Sequence, residues 1–209
     1  MHLTWHGQYT VKMQTGDSVV LLDPVGPDQG ISPFKGKATL VGLTHPAEPA
    51  MSHVSGVQGE PLVVNTPGEY SFDGISLQAF GWQAEDGSER SMHRWRIEGM
   101  SLLHLGARPN PLTEQELQDV QQLPIDILLL PIGGGSGLGL KDAMALLTTI
   151  EPRVVIPIHY KLPKLTEKLE SVEAFAQEIG LETAKGVDKL TLKANKLPEE
   201  DMEAVILKA

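Results

Sequence analysis

The sequence contains no cysteine. That one absence removes disulfide staples, thiolate metal sites and cysteine nucleophiles together, and it fits a reducing compartment. Long apolar runs are missing too. The longest, such as residues 125–132, fall well short of the roughly 20 residues that a membrane helix needs. The opening Met1-His2-Leu3-Thr4-Trp5-His6-Gly7-Gln8 lacks the basic start and apolar centre of a secretory leader. A soluble, cytoplasmic protein with no membrane partner is therefore expected. Positive charge is also in deficit: 17 Lys and Arg face 27 Asp and Glu, for a formal net charge of −10. The cations are scattered, with no basic stripe. Because phosphate contacts dominate nucleic-acid binding, nucleic acid is not an expected partner.

What is present is a single globular domain over residues 1–209, with 41% hydrophobic and 21% charged residues, enough to bury a core without a staple. The first half reads as strands and turns. Short β-type runs cover residues 3–5, 9–13 and 19–22, and Thr15-Gly16-Asp17 reads as a turn between two of them. Residues 38–43 form a mostly apolar strand, followed by 62–65, 70–72 and 75–80. Phe72-Asp73-Gly74-Ile75 is a hairpin signal, since Asp-Gly accepts the positive φ angles of a tight turn. Residues 94–97 and 101–105 form another hairpin around Glu98-Gly99. The second half alternates strand and helix. Thr113 and Glu116 have capping-box spacing for a helix running to about residue 123. Strands are expected at 125–132 and 153–158, helices at 141–149 and 169–179, and final short strands at 190–193 and 204–207. Strands first and βα units later predict an α/β protein whose sheets are covered by helices.

Several segments, in order, resemble the metallo-β-lactamase superfamily. They are closest to its branch of ascorbate-6-phosphate-lactonase-like proteins and uncharacterised zinc-dependent hydrolases. Leu3-Thr4-Trp5-His6-Gly7 resembles the opening strand, and Leu21-Leu22-Asp23-Pro24 the strand end that follows. Leu40-Val41-Gly42-Leu43-Thr44-His45-Pro46 resembles the strand entering the metal loop. Thr66-Pro67-Gly68-Glu69-Tyr70 with Asp73-Gly74-Ile75, Leu103-His104-Leu105-Gly106, residues 127–134 and Ile156-Pro157-Ile158-His159-Tyr160 complete the set. The resemblance implies a four-layer αββα sandwich with a two-metal site at one edge. In active relatives such ions generate a hydroxide and clamp the reacting oxygens.

Carried over position by position, the family's ligands are mostly absent. His45 matches the first histidine of its HxHxDH loop, but the following ligand positions are Ala47, Pro49 and Ala50. The later histidine falls near Trp82-Gln83-Ala84, the bridging aspartate is Ala107, and the final histidine is His159. The resemblance assigns His45 to one metal and His159 to the other. Each site then keeps a single ligand, where zinc generally takes three protein ligands for catalysis. Asp23, Glu48, Asp86 and His104 are the other cleft candidates; Asp23 is expected to bond His45 or backbone, and His104 to be structural. His2, His6 and His93 carry no recognisable spacing and read as surface residues. The loop Gly133-Gly134-Gly135-Ser136-Gly137 fails the P-loop and GxGxxG patterns but is a candidate anion loop, since amides at a helix start can hold an anion. No GxSxG signature or Ser-His-Asp arrangement is recognisable.

The expectation is thus a protein of this fold that has given up dinuclear metal hydrolysis. It would act as a binding or assembly module for an unknown ligand, a protein partner or a second copy of itself. No cofactor is expected on that reading. The alternative is a metal-dependent hydrolase of a phosphodiester, lactone or related ester with a remodelled site, using zinc or manganese.

Overall fold

The computed structural model describes residues 1–181 and 184–209. Along the chain run strands β1 His2–Trp5, β2 Val11–Thr15, β3 Ser18–Leu22, β4 Gly36–Lys37, β5 Leu40–Gly42, β6 Val57–Gln58, β7 Leu62–Val64, β8 Gly68–Phe72, β9 Ile75–Gln83, β10 Glu89–Ile97 and β11 Met100–His104. Helix α1 Glu114–Val120, β12 Ile127–Pro131, α2 Leu140–Ile150, β13 Val154–Ile158, α3 Val172–Glu178, β14 Leu190–Thr191 and β15 Glu203–Ala204 follow. They form two large sheets, in the orders β14-β1-β2-β3-β5-β7 and β15-β13-β12-β11-β10-β9-β8, and a small β4-β6 pair. No helix among the described residues is long and apolar enough to cross a membrane.

Local signals account for most of these elements. Asp73 and Gly74 both have positive φ (45° and 79°), as do Glu98 and Gly99 (52° and 77°). This mirror-image turn geometry matches the twist of the strands it joins. Thr113 and Glu116 form the expected capping box at the start of α1. Strands β12 and β13 are buried at every position and pair in parallel, as continuous apolar runs do when both sheet faces are covered. In β3, Val20 and Leu22 join the main core while Leu21 packs with Phe34, Ala38, Val41 and Leu43 on the other face. A period-2 strand splits its side chains in this way. Val11 and Leu22 of the first sheet share one core with Leu77, Trp95, Leu129 and Ile156 of the second. The architecture is the αββα sandwich.

Several boundaries move. The strand expected at 9–13 begins at Val11, because Gly7 and Gln8 take positive φ and Thr10 N–H bonds back to Gly7 O. The helix expected from residue 169 starts at Val172. Glu170 is held outside it by backbone bonds to Gly133 and Lys161. The hairpin expected from residue 94 starts at Glu89, which places His93 inside a strand with 0% exposure rather than at the surface.

Leu129 lies at 0% exposure in the middle of β12, whereas Leu62 on β7 is 50% exposed. Leu129→Ala should cost about 2–5 kcal/mol of unfolding free energy in a denaturant titration. Leu62→Ala should stay within about 0.5 kcal/mol of wild type.

Candidate functional site

Hydrogen bonds to one buried carboxylate organise this edge of the sandwich. Asp23 Oδ1 accepts from Thr44 N–H, and Oδ2 accepts from the Thr44 hydroxyl and from His104 Nε2–H, each at 2.7 Å. Asp23 follows β3, Thr44 lies just beyond β5, and His104 ends β11. The carboxylate therefore ties the first sheet to the second. Its φ of 40° is held by Asp23 N–H bonding to Gly42 O at 3.0 Å and by the Thr10 hydroxyl on Asp23 O at 2.7 Å. Burial by itself pushes the Asp23 carboxyl up; the facing His45 and the His104 hydrogen bond outweigh it and hold the group at about 2.

This anchor fixes the proton of His45. The Thr44 hydroxyl gives its hydrogen to Asp23, so its oxygen accepts from His45 Nδ1–H at 2.6 Å. His45 Nε2 is left as a lone pair, buried and without a hydrogen-bond partner. Of the two partners expected for Asp23, the backbone is met at Thr44 N–H, while the link to His45 runs through the Thr44 hydroxyl, since Asp23 Oδ1 and His45 Nδ1 are 3.9 Å apart. Burial lowers the His45 pKa, with Asp23 and Glu48 pulling the other way. His93, bonded to Ser91 Oγ at 2.9 Å, is lowered by burial to about 3.

His159 reaches the same edge from the end of β13. Its ring stacks on Tyr9 with centroids 4.3 Å apart, while His45 meets the Tyr9 ring edge-on at 5.5 Å. Ser136 Oγ and Glu167 Oε2 both lie 3.2 Å from His159 Nε2. Tyr9 Oη contacts Ser136 Oγ at 3.1 Å. Burial keeps the Tyr9 phenol protonated, well above its usual range.

The sequence candidates divide accordingly. Asp23, His45 and His104 come together, and His159 joins them through Tyr9. Glu48 follows in the His45 loop, with Oε2 buried and unpartnered. Asp86 stands apart on the β9–β10 turn, bonded to Ser88 and paired with Arg90 at 3.5 Å. The Gly133–Gly137 loop already carries an anion of the protein's own. Ser136 N–H donates to Glu167 Oε1 at 2.9 Å, and the Gly134 and Gly137 amides bond within the loop. Tyr9, Thr44, Arg90 and Glu167 were not expected from the sequence. Arg90 Nη1 donates to Ala107 O at 3.1 Å, and Nη2 lies 3.9 Å from Glu48. Ala107 is the position where the resemblance puts a bridging aspartate.

Residues 2–159 match the family model described as a beta-lactamase superfamily domain. A UPF0173 metal-dependent hydrolase of Lysinibacillus sphaericus is 26% identical over 77% of this chain and 85% of its own. One from Salinibacter ruber is 26% identical over 88% and 95%. A structure from Thermotoga maritima, described as of a Zn-dependent hydrolase of the metallo-beta-lactamase superfamily, aligns with a TM-score of 0.80. It is 25% identical and covers 99% of this chain and 97% of that one. The names of these relatives overturn the expectation of a binding or assembly module that has given up hydrolysis. They support the alternative, a hydrolase with a remodelled site.

A two-metal centre does not fit the side chains present. Ala47, Pro49, Ala50 and Ala107 offer no side-chain donor atom, and both Asp23 oxygens are occupied. His45 and His159 share Tyr9 as a packing neighbour. Among the described residues, the buried side-chain atoms without a partner include His45 Nε2, Glu48 Oε2, His159 Nδ1, His104 Nδ1 and Gln8 Oε1.

Two predictions follow from the buried charges. Asp23→Asn turns part of an acceptor into a donor facing other donors, and should destabilise the fold by about 3 kcal/mol in denaturant titration. The pH dependence has a definite sign. His93 is depressed to about 3 in the fold against 6.5 unfolded, so the unfolded chain binds the extra proton between those values. Its contribution is complete above pH 6.5 and is lost as pH falls, at up to about 1.4 kcal/mol per unit. Asp23 adds a further loss between about 4 and 2. Melting temperature should fall on acidification from pH 7, and His93→Gln should flatten that fall between pH 6 and 4. An unchanged slope in the variant would count against this assignment.

Proposed function

The chain belongs to the beta-lactamase superfamily, and from that premise we propose that it is a hydrolase of ester-type bonds, in a lactone, a phosphodiester or a related ester. On this reading the reaction takes place at the edge of the sandwich where His45, Tyr9 and His159 pack together. The observation that carries this is the state of His45. At 1% exposure it keeps one ring nitrogen bound through Thr44 to Asp23 and leaves the other unpartnered, at the edge where the resemblance places the ligand loop. An unpartnered buried polar atom costs about 1–3 kcal/mol; His45 shares that state with His93, His104 and His159, and is set apart by standing at the first ligand position of the resemblance. A free, oriented acceptor is what a reacting group needs. That the reaction is a hydrolysis draws on the relatives, which are named metal-dependent hydrolases; the ester class is part of the proposal.

The two-metal clamp of the superfamily does not suit this donor set, so the reading concerns the chain's own side chains. His45 Nε2 and Glu48 Oε2 are where a single zinc or manganese ion would find protein donors, fewer than the three of usual catalytic zinc.

The purified chain should turn over at least one of a lactone, an aryl ester and an aryl phosphodiester. Each is assayed as prepared, after chelation, and with zinc or manganese added. His45→Gln and His159→Gln should each reduce kcat/KM by about 100-fold or more while the protein stays folded by circular dichroism. No turnover of any of the three under any metal condition would overturn the reading, as would full activity in both variants.

A further inference from the structure

A cavity of about 520 Å³ lies beside the turn between β1 and β2. That is the size of a small-molecule site. Three separate segments wall it: His6 after β1, Ile31, Phe34 and Lys35 before β4, and Leu162 and Lys164 after β13.

Close packing holds these segments together. Gly30 has a φ of 79°, and a Cβ there would overlap the carbonyl oxygen of Lys164, so the two loops touch backbone to backbone. A Cβ on Gly7 would lie 2.5 Å from Ile31 Cδ1 and 3.3 Å from Leu162 Cδ1, so these two side chains meet over that glycine. Phe34 is buried in the small core with Leu21, Ala38, Val41 and Leu43, and its ring meets His6 edge-on at 5.1 Å. The apolar floor is therefore built before any ligand arrives, which lowers the ordering cost of binding.

The rim is cationic. Lys35 and Lys164 are exposed, and among the described residues neither joins an ion pair. No Asp or Glu lines the cavity, although the chain carries a net charge of −10. Ala209 also borders it; with a carboxylate counted there, positive groups still outnumber negative ones. His6 supplies an uncharged hydrogen-bonding group. Its Nε2 meets Thr4 Oγ1 at 3.1 Å, and burial, with Lys12 nearby, holds its pKa below the usual histidine value. Apolar walls below a few polar groups are the usual make-up of a small-ligand site, and here the charged ones share one sign.

We propose that this cavity binds a small organic anion, whose apolar body packs against Ile31, Phe34 and Leu162 and whose carboxylate or phosphate group lies between Lys35 and Lys164. The site does not rest on the hydrolase reading and stands whether or not the chain turns over an ester.

Calorimetry and amide ¹H–¹⁵N shifts on the full chain at neutral pH test it. The probes are phenylbutanoate and phenyl phosphate; the controls are phenylbutanamide, acetate and inorganic phosphate. At least one probe should bind with a Kd of about 1 mM or below, and the tighter of the two names the headgroup. The neutral amide and the two small anions should each bind about tenfold more weakly. Shifts should centre on Ile31, Lys35, Leu162 and Lys164. Lys35→Gln combined with Lys164→Gln should weaken probe binding about tenfold, and both residues are exposed, so the fold is kept. Leu162→Trp, which fills the cavity, should abolish probe binding, and Ile31→Trp serves if that variant fails to fold. Failure of both probes to bind at about 10 mM overturns the site. Equal binding of the amide, or wild-type affinity in the double-lysine variant, overturns the anion. Equal binding of acetate or inorganic phosphate overturns the apolar body. Shifts centred elsewhere, the His45 and His159 loops included, overturn the location.

Discussion

The packing of His45, Tyr9, His104 and His159 depends on the buried carboxylate of Asp23. A charge without solvent is tolerated only when its oxygens are satisfied, and here Thr44 and His104 satisfy them from two different sheets. The consequence runs outward. Thr44 is fixed because its hydroxyl is spent on Asp23, and His45 is then fixed because only the Thr44 oxygen is left to receive its proton. The ends of β3, β5 and β11 are thereby held in one place by a group that itself carries no reactivity. The depressed pKa of Asp23 keeps the anchor a carboxylate at neutral pH.

Glu167 repeats the device on the other side of Tyr9. It is an acceptor-only group, held by two neighbours and facing one imidazole nitrogen. Asp23 bonds His104 directly and His45 through Thr44, Glu167 bonds His159, and the opposite nitrogen of each ring is buried without a partner. Tyr9, packed against both rings and protonated by virtue of its burial, links the halves. Positive charge at this edge comes from Arg90, whose guanidinium reaches the carbonyl of Ala107 and lies near Glu48. The superfamily's scaffold is retained, while Ala47, Pro49, Ala50 and Ala107 stand where the resemblance puts ligands.

Those features of the fold that are set locally were legible in the sequence. The Asp73-Gly74 turn, the Thr113–Glu116 box and the apolar runs of β12 and β13 each depend on a few adjacent residues. The ordered landmarks placed His45 and His159 at one edge, and the rings do meet at Tyr9. What the sequence did not disclose depends on distant contacts. His93 carries no recognisable spacing and reads as external, whereas β10 runs from Glu89 and buries it between Met92 and Arg94. Glu167 sits among Lys164, Lys168 and Glu170, with nothing local to separate it from a solvated loop; only the fold brings it to Ser136 and His159. Ser136 was visible as part of a glycine-rich loop, but its amide is taken by that same carboxylate. The names of the relatives, not the pattern of lost ligands, corrected the expectation about activity.

The central claim is that two carboxylates fix the protons of the two cleft histidines and leave one free acceptor on each. Neutron diffraction from a deuterated crystal at neutral pH reads those positions directly. The account predicts deuterium on His45 Nδ1 and His159 Nε2, with none on Asp23, on Glu167 or on the opposite ring nitrogens. Deuterium on His45 Nε2 or on His159 Nδ1 would contradict it.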